Sequence, residues 1–306
     1  MFERPVDNER KGGGPSRNFR SLRALIGVIT EKYVKTSRAI WVLGFLLNPL
    51  LLIRAGAAED IDLNQVSAIH FSAGNNSVTV STSNITTASF AADSSCQITP
   101  STTIVNGVLT IETSDPEQTC AYSLIVPTNF QAVRIDSSNG AVSFSGTAGQ
   151  LVVVGDNGSA TVSNSAIGTL LVTNTNGPIT VDTVSASSSA INSTNADITI
   201  SKLNSPFAID ATNGELRISA TVLPFGSKSS VRKTNGKVTI TGVKVRSAGS
   251  NKRARLKLTT RTLNGTVTIK RKKLANRGRT KVTMLGKGKQ RATLSIVTVN
   301  ADIVVK

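Results

Sequence analysis

Between Asn139 and Ile218 the chain repeats one short phrase: NGAVSF (139–144), NGSATV (157–162), NGPITV (176–181), NADITI (195–200) and NGELRI (213–218). Successive copies begin 18 or 19 residues apart. In each copy an Asn and a Gly or Ala precede apolar residues at alternate positions, a pattern typical of a strand with one buried face. A fixed repeat near 20 residues predicts a solenoid in which each repeat is one coil.

The same phrase continues on both sides of this region. The further copies are NGVLTI at Asn106, NGKVTI at Asn235, NGTVTI at Asn264 and NADIVV at Asn300, and the spacings after Asn213 are 22, 29 and 36 residues. A second alternating stretch, such as 150–154, follows each phrase. We therefore predict an all-β fold, a parallel β-solenoid with coils of about 18–22 residues. A meander of hairpins with Asn-Gly turns is the alternative.

The Asn residues of the phrase are expected to be structural. Asn and Gly tolerate positive φ, so we expect each pair to turn the chain with little strain. Stacked coils would then place one Asn above the next, and Asn ladders stabilise stacked strands.

Charge divides the chain into three parts. The net charge is +17, but residues 1–58 carry +6, residues 59–226 carry −10 and residues 227–306 carry +21. We predict a basic N-terminal region with an export segment (1–58), an acidic to neutral repeat body (59–226) and a basic C-terminal part of the same solenoid (227–306). Such segregation predicts a polyanionic partner for the basic end, and a solvated basic face is the alternative.

The N-terminal region has the features of an export signal. Residues 39–53 (AIWVLGFLLNPLLLI) are uncharged, and Ala55-Gly56-Ala57 follows with the small-x-small pattern of a cleavage site. Fifteen apolar residues suit a helical secretory signal better than a full membrane span. An uncleaved anchor at 39–53 and a buried core helix are the alternatives. Both export alternatives place residues 59–306 in the periplasm, the outer envelope or the extracellular space.

Two cysteines support export. Cys96 and Cys120 are the only cysteines of the chain, and in an exported protein they are expected to form a disulfide worth about 3 kcal/mol. Two separate buried thiols are the alternative, and no spacing of a metal site is present.

The repeated NGxhxh strands behind an export signal resemble the bacterial "putative adhesin" β-strand-repeat proteins, close to the head-GIN-type adhesins. The resemblance covers roughly residues 63–306 and rests on the texture of the repeat. It implies an exported β-solenoid-like domain and supplies no catalytic positions. The dense basic end and the long spacings after Asn235 depart from the family pattern.

Few residues suit catalysis. The best acid pair is Asp197 and Glu215, each two residues after a turn Asn, and stacking would bring their carboxylates within about 5 Å. His70 has no nucleophile that we can place beside it and is expected to be a half-buried polar residue. The sequence predicts no enzyme activity and no cofactor, and a carbohydrate-active β-helix lyase or hydrolase is the alternative.

The basic end is the strongest site-like feature. Its segments 237–246, 253–258 and 266–273 alternate charged and apolar residues, which would spread cations over an outward sheet face. Six further cations, Arg277, Arg279, Lys281, Lys287, Lys289 and Arg291, are expected in a loop-rich continuation. The predicted polyanion-binding residues are Lys244, Arg246, Lys252, Arg253, Arg255, Lys257, Lys270, Arg271, Lys272 and Lys273.

These observations predict an exported, non-enzymatic structural or adhesive protein of the cell envelope or exterior. Its expected partner is an anionic polysaccharide, a glycolipid or a membrane surface, bound with strong salt dependence. A nucleic-acid-binding protein is a further alternative. It is disfavoured by the export signal and by the absence of Phe, Tyr and Trp from residues 227–306, because single-strand binders stack bases on aromatic side chains.

Overall fold

The computed structural model describes residues 52–54, 60–61, 63, 65–93, 96, 100–113, 119–128, 130–246, 254–269, 272–275, 280–285 and 290–306. All regular elements in these ranges are β-strands. Within the described part, no helix is long and apolar enough to cross a membrane. Leu50–Lys306 form one compact unit.

The strands in chain order are β1 (Leu52–Arg54), β2 (Asp60–Ile61), β3 (Ala68–Ser72), β4 (Ser77–Ser83), β5 (Ala88–Ala92), β6 (Ser101–Val105), β7 (Val108–Glu112), β8 (Ala121–Pro127), β9 (Ala132–Ser137), β10 (Val142–Gly155), β11 (Ala160–Asn174), β12 (Ile179–Ser193), β13 (Ile198–Ser201), β14 (Phe207–Ala211), β15 (Glu215–Ser219), β16 (Val222–Leu223), β17 (Lys228–Thr241), β18 (Lys244–Val245), β19 (Ala254–Thr262), β20 (Thr266–Ile269), β21 (Lys272–Ala275), β22 (Thr280–Leu285) and β23 (Gln290–Val305).

Strands β10, β11 and β12 each run through almost a whole coil. Val142 pairs in parallel with Ala160, and Ala160 pairs with Ile179, so the register advances by 18 and then 19 residues. This confirms the predicted all-β fold with parallel strands, and in this part of the chain the hairpin meander is wrong. The coil length equals the spacing of the repeat in the sequence, because the apolar positions of one coil must lie beside those of the next.

Each coil has three sides, which we number from the Asn turn. In β10, side 1 is 142–145, side 2 is the short segment 146–149, and side 3 is 150–155. The register between β10 and β11 shifts at Ser145/Gly146, where side 1 bends into side 2. The equivalent segments of neighbouring coils pair side by side, so side 1 and side 3 form continuous parallel sheets.

The core lies between the sides. Alternate residues point inward, so Val142 and Phe144 on side 1 meet Leu151 and Val153 on side 3, and all four are almost fully buried. The same positions in the next coils are buried as well, and they are apolar except where Ser189 and Ser229 occupy the position of Leu151. Burying one such side chain contributes about 1.5–3 kcal/mol, and stacking joins these contributions into one continuous apolar column.

The predicted Asn ladder is present. Each side-chain amide donates a hydrogen bond to the side-chain oxygen of an Asn in the adjacent coil, over distances up to 3.1 Å. The order of the ladder is Asn75, Asn139, Asn157, Asn176, Asn195, Asn213, Asn235, Asn300 and Asn264.

The phrase at Asn106 has a different structure. Asn106 and Gly107 both have positive φ and connect β6 to β7 as a two-residue antiparallel hairpin, the geometry that favours Asn-Gly. The prediction of a coil turn at Asn106 is therefore wrong. Asn75, in NNSVTV (75–80), where Asn76 replaces the Gly of the phrase, is the ladder residue next to Asn139.

The turn glycines are needed mainly for close packing between coils. A Cβ atom on Gly158 would lie 1.9 Å from the carbonyl oxygen of Gly140, and one on Gly177 would lie 1.9 Å from that of Gly158. Neither Gly158 nor Gly177 has positive φ. The predicted reason, positive φ at every turn, is thus wrong for these coils, although Gly214 and Gly236 do have it.

A column of buried polar residues lies at the end of side 3, next to the Asn turns. Ser137 donates to the Gly140 carbonyl at 2.8 Å, Asn174 to the Gly158 carbonyl at 2.6 Å, and Thr298 to the Ala301 carbonyl at 2.9 Å. Buried carbonyl groups need such partners, so the polar positions at the end of an otherwise apolar column are part of the turn.

The last strand does not follow the chain order. The first half of β23 pairs with β17 on one edge and β19 on the other, and its second half lies between β17 and β20. All of these pairings are parallel. Strands β21 and β22 then pair antiparallel with β20 and β19. The spacings after Asn235 are long because β19 and β20 do not pair with β17, and β23 lies between them.

The N-terminal prediction is only partly within the described residues. Residues 39–51 and the cleavage pattern at Ala55-Gly56-Ala57 lie outside them. Leu52–Arg54, at the end of the predicted helical segment, form strand β1, which pairs antiparallel with β6. Leu52 and Ile53 thus lie in a strand, and the rest of the segment predicted to be helical is outside the described residues.

Candidate functional site

The basic end presents one outward sheet face made by β17, β23, β19 and β22 on side 3. Inward residues of these strands are buried, and the residues between them point outward. We call the outward residues of Lys228–Arg232, Arg291–Val297, Arg255–Arg261 and Thr280–Met284 the basic face. Its cations are Lys228, Arg232, Arg255, Lys257, Arg261 and Arg291.

The strand register arranges these cations in rows across the sheet. Arg255 pairs directly with Arg291. In the next outward row, Lys228 and Lys257 flank Thr293 from opposite sides. Adjacent strands are about 4.8 Å apart, and outward residues along one strand are about 6.6 Å apart. The cations therefore form a two-dimensional array.

The third outward row, Ser230, Ser295 and Thr259, contains no cation, and the fourth contains Arg232 and Arg261 on the two sides of Val297. On the edge of β17 that faces β14, Asp210 is the register partner of Arg232. The outward positions of the basic face on β17, β23 and β19 contain no acidic residue, and Asp302, in the second half of β23, lies on side 1 opposite Lys237.

The basic face carries a net positive charge over the described residues, because six cations share its outward positions. Three ion pairs between described residues, His70–Asp136, Arg134–Asp136 and Arg217–Glu215, lie elsewhere on the molecule. The Nε atom of Arg255 is buried and has no hydrogen-bond partner among the described residues. Like charges at adjacent positions of a sheet destabilise it, so the Arg255–Arg291 pair is an arrangement that an anion would stabilise.

The structure divides the predicted polyanion-binding residues among different sides. Arg255 and Lys257 lie on the basic face. Lys244 and Arg246 lie on side 2, where β18 pairs with β16, and Arg246 lines a shallow groove of about 400 Å³. Lys272 and Lys273 belong to β21, which continues side 1 beside β20. Their side chains, and all of Lys252, Arg253, Lys270 and Arg271, lie outside what the structure describes.

Sequence reasoning missed four cations of the face. Lys228, Arg232 and Arg261 were not selected because their segments lack the dense charge of their neighbours. Arg291 was expected in a loop-rich continuation, as was Lys281, but they lie in β23 and β22. A usable signal was present: Lys228 and Arg232 alternate with the buried Ser229 and Val231.

One cation of the basic end points inward. Lys233 is 2% exposed, and its ammonium group donates to the backbone carbonyl of Asn213. Burial lowers the pKa of Lys233, and the charge of Asp197 only partly opposes this effect. Ala211, its register partner in the adjacent coil, is small. Lys233 therefore belongs to the polar column of the turns.

The two cysteines lie far along the chain from the basic face. Cys96 and Cys120 form a disulfide with their Cα atoms 5.5 Å apart. Beside it, the rings of Phe90 and Tyr122 stack with centroids 5.5 Å apart, and Phe71 lies 6.2 Å from both. The disulfide thus joins the loop after β5 to the start of β8 at an aromatic cluster.

His70 is half-buried, as predicted. Its Nε2 lies 2.8 Å from Oδ2 of Asp136, and the same oxygen accepts a hydrogen bond from Nε of Arg134 at 2.8 Å. Burial by itself raises the pKa of Asp136, but the hydrogen bonds from His70 and Arg134 and the charge of Arg134 outweigh it, so the pKa is lowered. The cluster contains no nucleophile and stabilises the surface of β3 and β9.

The candidate acid pair is engaged in structural contacts. Oδ1 of Asp197 accepts a hydrogen bond from the backbone N–H of Glu215 at 2.6 Å. The carboxylate of Glu215 binds the guanidinium of Arg217 at 2.7 Å. Over the described ranges, no group of three or more His, Cys, Asp or Glu residues is arranged to hold a metal ion.

The family is shown by comparison with family models. Residues 66–306 match the family model described as Toastrack DUF4097. The chain belongs to the Toastrack DUF4097 family. The matched region begins just before β3 and runs to the last residue, so it includes the coils, the Asn ladder and the basic face. A search of curated proteins finds no match.

Two solved structures are similar to this Toastrack protein. One is a putative cell adhesion protein from Clostridium sporogenes, 9% identical, with 83% of this chain and 99% of that chain covered and a TM-score of 0.28. The other is a putative adhesin from Bacteroides fragilis, 11% identical, with 85% of this chain and 98% of that chain covered and a TM-score of 0.43.

Proposed function

We propose that this Toastrack protein is an exported, non-enzymatic structural or adhesive protein whose basic face binds an anionic surface or polymer of the cell envelope or exterior. The observation that carries the proposal is the array of six cations on three adjacent strands, with Arg255 and Arg291 in register. Clustered like charges cost stability unless a counter-charge compensates them. A flat array of this kind suits a repeating anion.

The binding proposal is tested with a soluble polyanion, inorganic polyphosphate, and the full chain. Neutralising six phosphate-type contacts should make affinity fall by about 10³-fold between roughly 50 mM and 200 mM salt. The variant Lys228→Gln, Arg255→Gln, Lys257→Gln, Arg291→Gln should bind at least about 10-fold more weakly and lose part of this salt dependence.

A variant with the same change in net charge is the control. Lys237→Gln, Lys244→Gln, Arg246→Gln and Lys306→Gln remove four cations of the basic end that lie off the basic face. We expect this control to retain most of the affinity. Equal losses in the two variants would contradict a specific role for the face and would leave only the effect of net charge.

Export is proposed on the sequence of residues 39–57 and on the cysteine pair. A disulfide is typical of oxidising compartments. N-terminal sequencing of the protein recovered from the envelope fraction should give a start near Ala58 or Glu59, after a signal that ends at Ala57 or Ala58, or an intact N-terminus in the membrane fraction if residues 39–53 are an anchor. Recovery of the intact chain from the cytosol with two reduced thiols would contradict export.

A further inference from the structure

The exposed apolar residues of the chain are concentrated at the basic end. Seven large apolar side chains of the described residues are exposed, and six of them lie at or beside the basic face. The six are Phe225, Leu263, Val282, Met284, Val297 and Val299, and the seventh is Ile125. Exposed apolar groups that cluster together mark interaction surfaces.

Three of these residues share the outward positions of the cations. Val297 lies in register between Arg232 and Arg261, and Met284 pairs with Lys257. Val282 is the outward residue next to Met284 on β22 and is 53% exposed. Cationic and exposed apolar side chains therefore share the outward positions of one sheet face.

Phe225 extends the same surface at its edge. It is 49% exposed at the turn before β17, where the hydroxyl group and the N–H of Ser227 both donate to the Pro224 carbonyl. The turn is fixed to the basic face, because the Gly226 N–H donates to the Arg291 carbonyl at 3.1 Å. The exposed Phe225 thus belongs to a turn that is bonded to the backbone of Arg291 and leads directly into Lys228.

This combination distinguishes between anionic partners. A soluble polyanion would contact the cations and gain nothing from exposed Val, Met and Phe side chains. At a bilayer surface, Lys and Arg contact anionic headgroups while apolar side chains enter the boundary with the acyl chains, and both contributions add to binding. Phe in particular is suited to this boundary region.

We infer that the basic face docks on an anionic phospholipid bilayer, with Phe225, Val282 and Met284 entering the headgroup region between the cations. This inference rests on the proposed function, because the cations supply the electrostatic part of the binding. It adds the class of partner and a second set of residues, which the charge pattern alone does not indicate.

The test compares the full chain with the variant Phe225→Ser, Val282→Ser, Met284→Ser. Binding is measured by co-sedimentation with phosphatidylcholine vesicles with and without phosphatidylglycerol, and separately with soluble polyphosphate. We expect the variant to bind the anionic vesicles roughly 10-fold more weakly or worse, since it loses most of its buried apolar area, and to bind polyphosphate like the original protein. Residues 39–53 are present in every variant, so their contribution to vesicle binding cancels in the comparison.

Ile125→Ser is the matched control, because Ile125 is also exposed (37%) but belongs to β8, far along the chain from the basic face. Circular dichroism of each variant checks that it is folded. Phe225→Trp reports insertion directly: the added fluorescence, relative to the original chain with its single Trp41, should shift to the blue and be quenched by brominated lipid.

The outcomes separate the two proposals. Equal vesicle binding by the apolar variant, or no quenching of Phe225→Trp, overturns the inference on lipid and leaves polyanion binding in place. If the four-cation variant binds polyphosphate as tightly as the original chain, the proposed function fails. Loss of vesicle and polyphosphate binding together in the folded apolar variant would also overturn the lipid inference.

Discussion

Asn residues of the turns act as links between coils more than as turn formers. Each Asn within the ladder donates one side-chain hydrogen bond and accepts another, while in most coils the residue after the Asn is a Gly packed against the neighbouring coil. The ladder also records the strand order, because Asn300 lies between Asn235 and Asn264.

Asn176→Ala should destabilise the fold by about 1–2 kcal/mol, because it removes the bonds to both Asn157 and Asn195 and each is worth about 0.5–1.5 kcal/mol. Asn264→Ala, at the end of the ladder, removes the bond to Asn300 alone and should cost about half as much. Urea unfolding followed by circular dichroism measures both. Equal costs would show that the ladder contributes little beyond the individual turns.

Asp136 should make stability depend on acid pH. Its pKa is lowered in the fold, the raising effect of burial being outweighed by the hydrogen bonds of His70 and Arg134. A carboxyl group whose pKa is lower in the folded state stabilises the fold above its unfolded pKa. That contribution is lost progressively as the pH falls below about 4 and through the folded pKa.

Asp136→Asn should therefore be less stable than the original chain at pH 7 and show a smaller loss of stability between about pH 5 and pH 3. Asp210→Asn is the control, since Asp210 is exposed and forms none of the ion pairs described above. Thermal unfolding at a series of pH values measures the effect. An unchanged acid dependence in Asp136→Asn would contradict the assignment.

At the scale of the element, strand β23 determines how the basic end is held together. It provides parallel partners on both edges, to β17 on one side and to β19 and β20 on the other. Ile303 points into the core between Val238 and Val267, while its neighbour Val304 points outward between Thr239 and Thr268.

Ile303→Ala should cost about 2–5 kcal/mol, as expected for a large-to-small change in a packed core. Val304→Ala, one residue away on the opposite face, should cost less than about 1 kcal/mol. Chemical denaturation with circular dichroism compares the two. Similar costs would show that β23 does not lie between β17 and β20 with Ile303 inward.

On the scale of the whole molecule, charge is separated along the stack of coils. Residues 227–306 contain 22 Lys and Arg against a single acidic residue, Asp302. Within this end, cations repel one another across distances shorter than the screening length of dilute salt. The basic end is therefore less stable at low ionic strength than its packing alone would make it.

Raising sodium chloride from about 0.05 M to 0.5 M should increase the unfolding midpoint of the original chain, because the screening length shortens. The variant with Lys228, Arg255, Lys257 and Arg291 changed to Gln should be more stable at low salt and respond less. Thermal unfolding at several salt concentrations checks this. A midpoint that falls with salt, or an identical response in the variant, would contradict the interpretation.

Local patterns in the sequence were enough to predict the parallel all-β fold, the coil length and the Asn ladder. This is because each depends on a periodicity that must recur in every coil. The alternation of residues also determines which cations point outward, once a segment is known to be a strand. Lys228 and Arg232 could have been found in this way.

What the tertiary structure decided is the neighbour of each strand. The insertion of β23 between β17 and β19 brings Arg291 beside Arg255, and the turn at Gly226 fixes Phe225 next to Arg291. Lys244 and Arg246, close to Arg255 in sequence, lie on another side of the coil. Periodicity specifies whether a side chain of a strand points inward or outward. Which residues share a surface depends on long-range pairing between strands that have nearly the same pattern. Packing and the lengths of the connections select among those pairings.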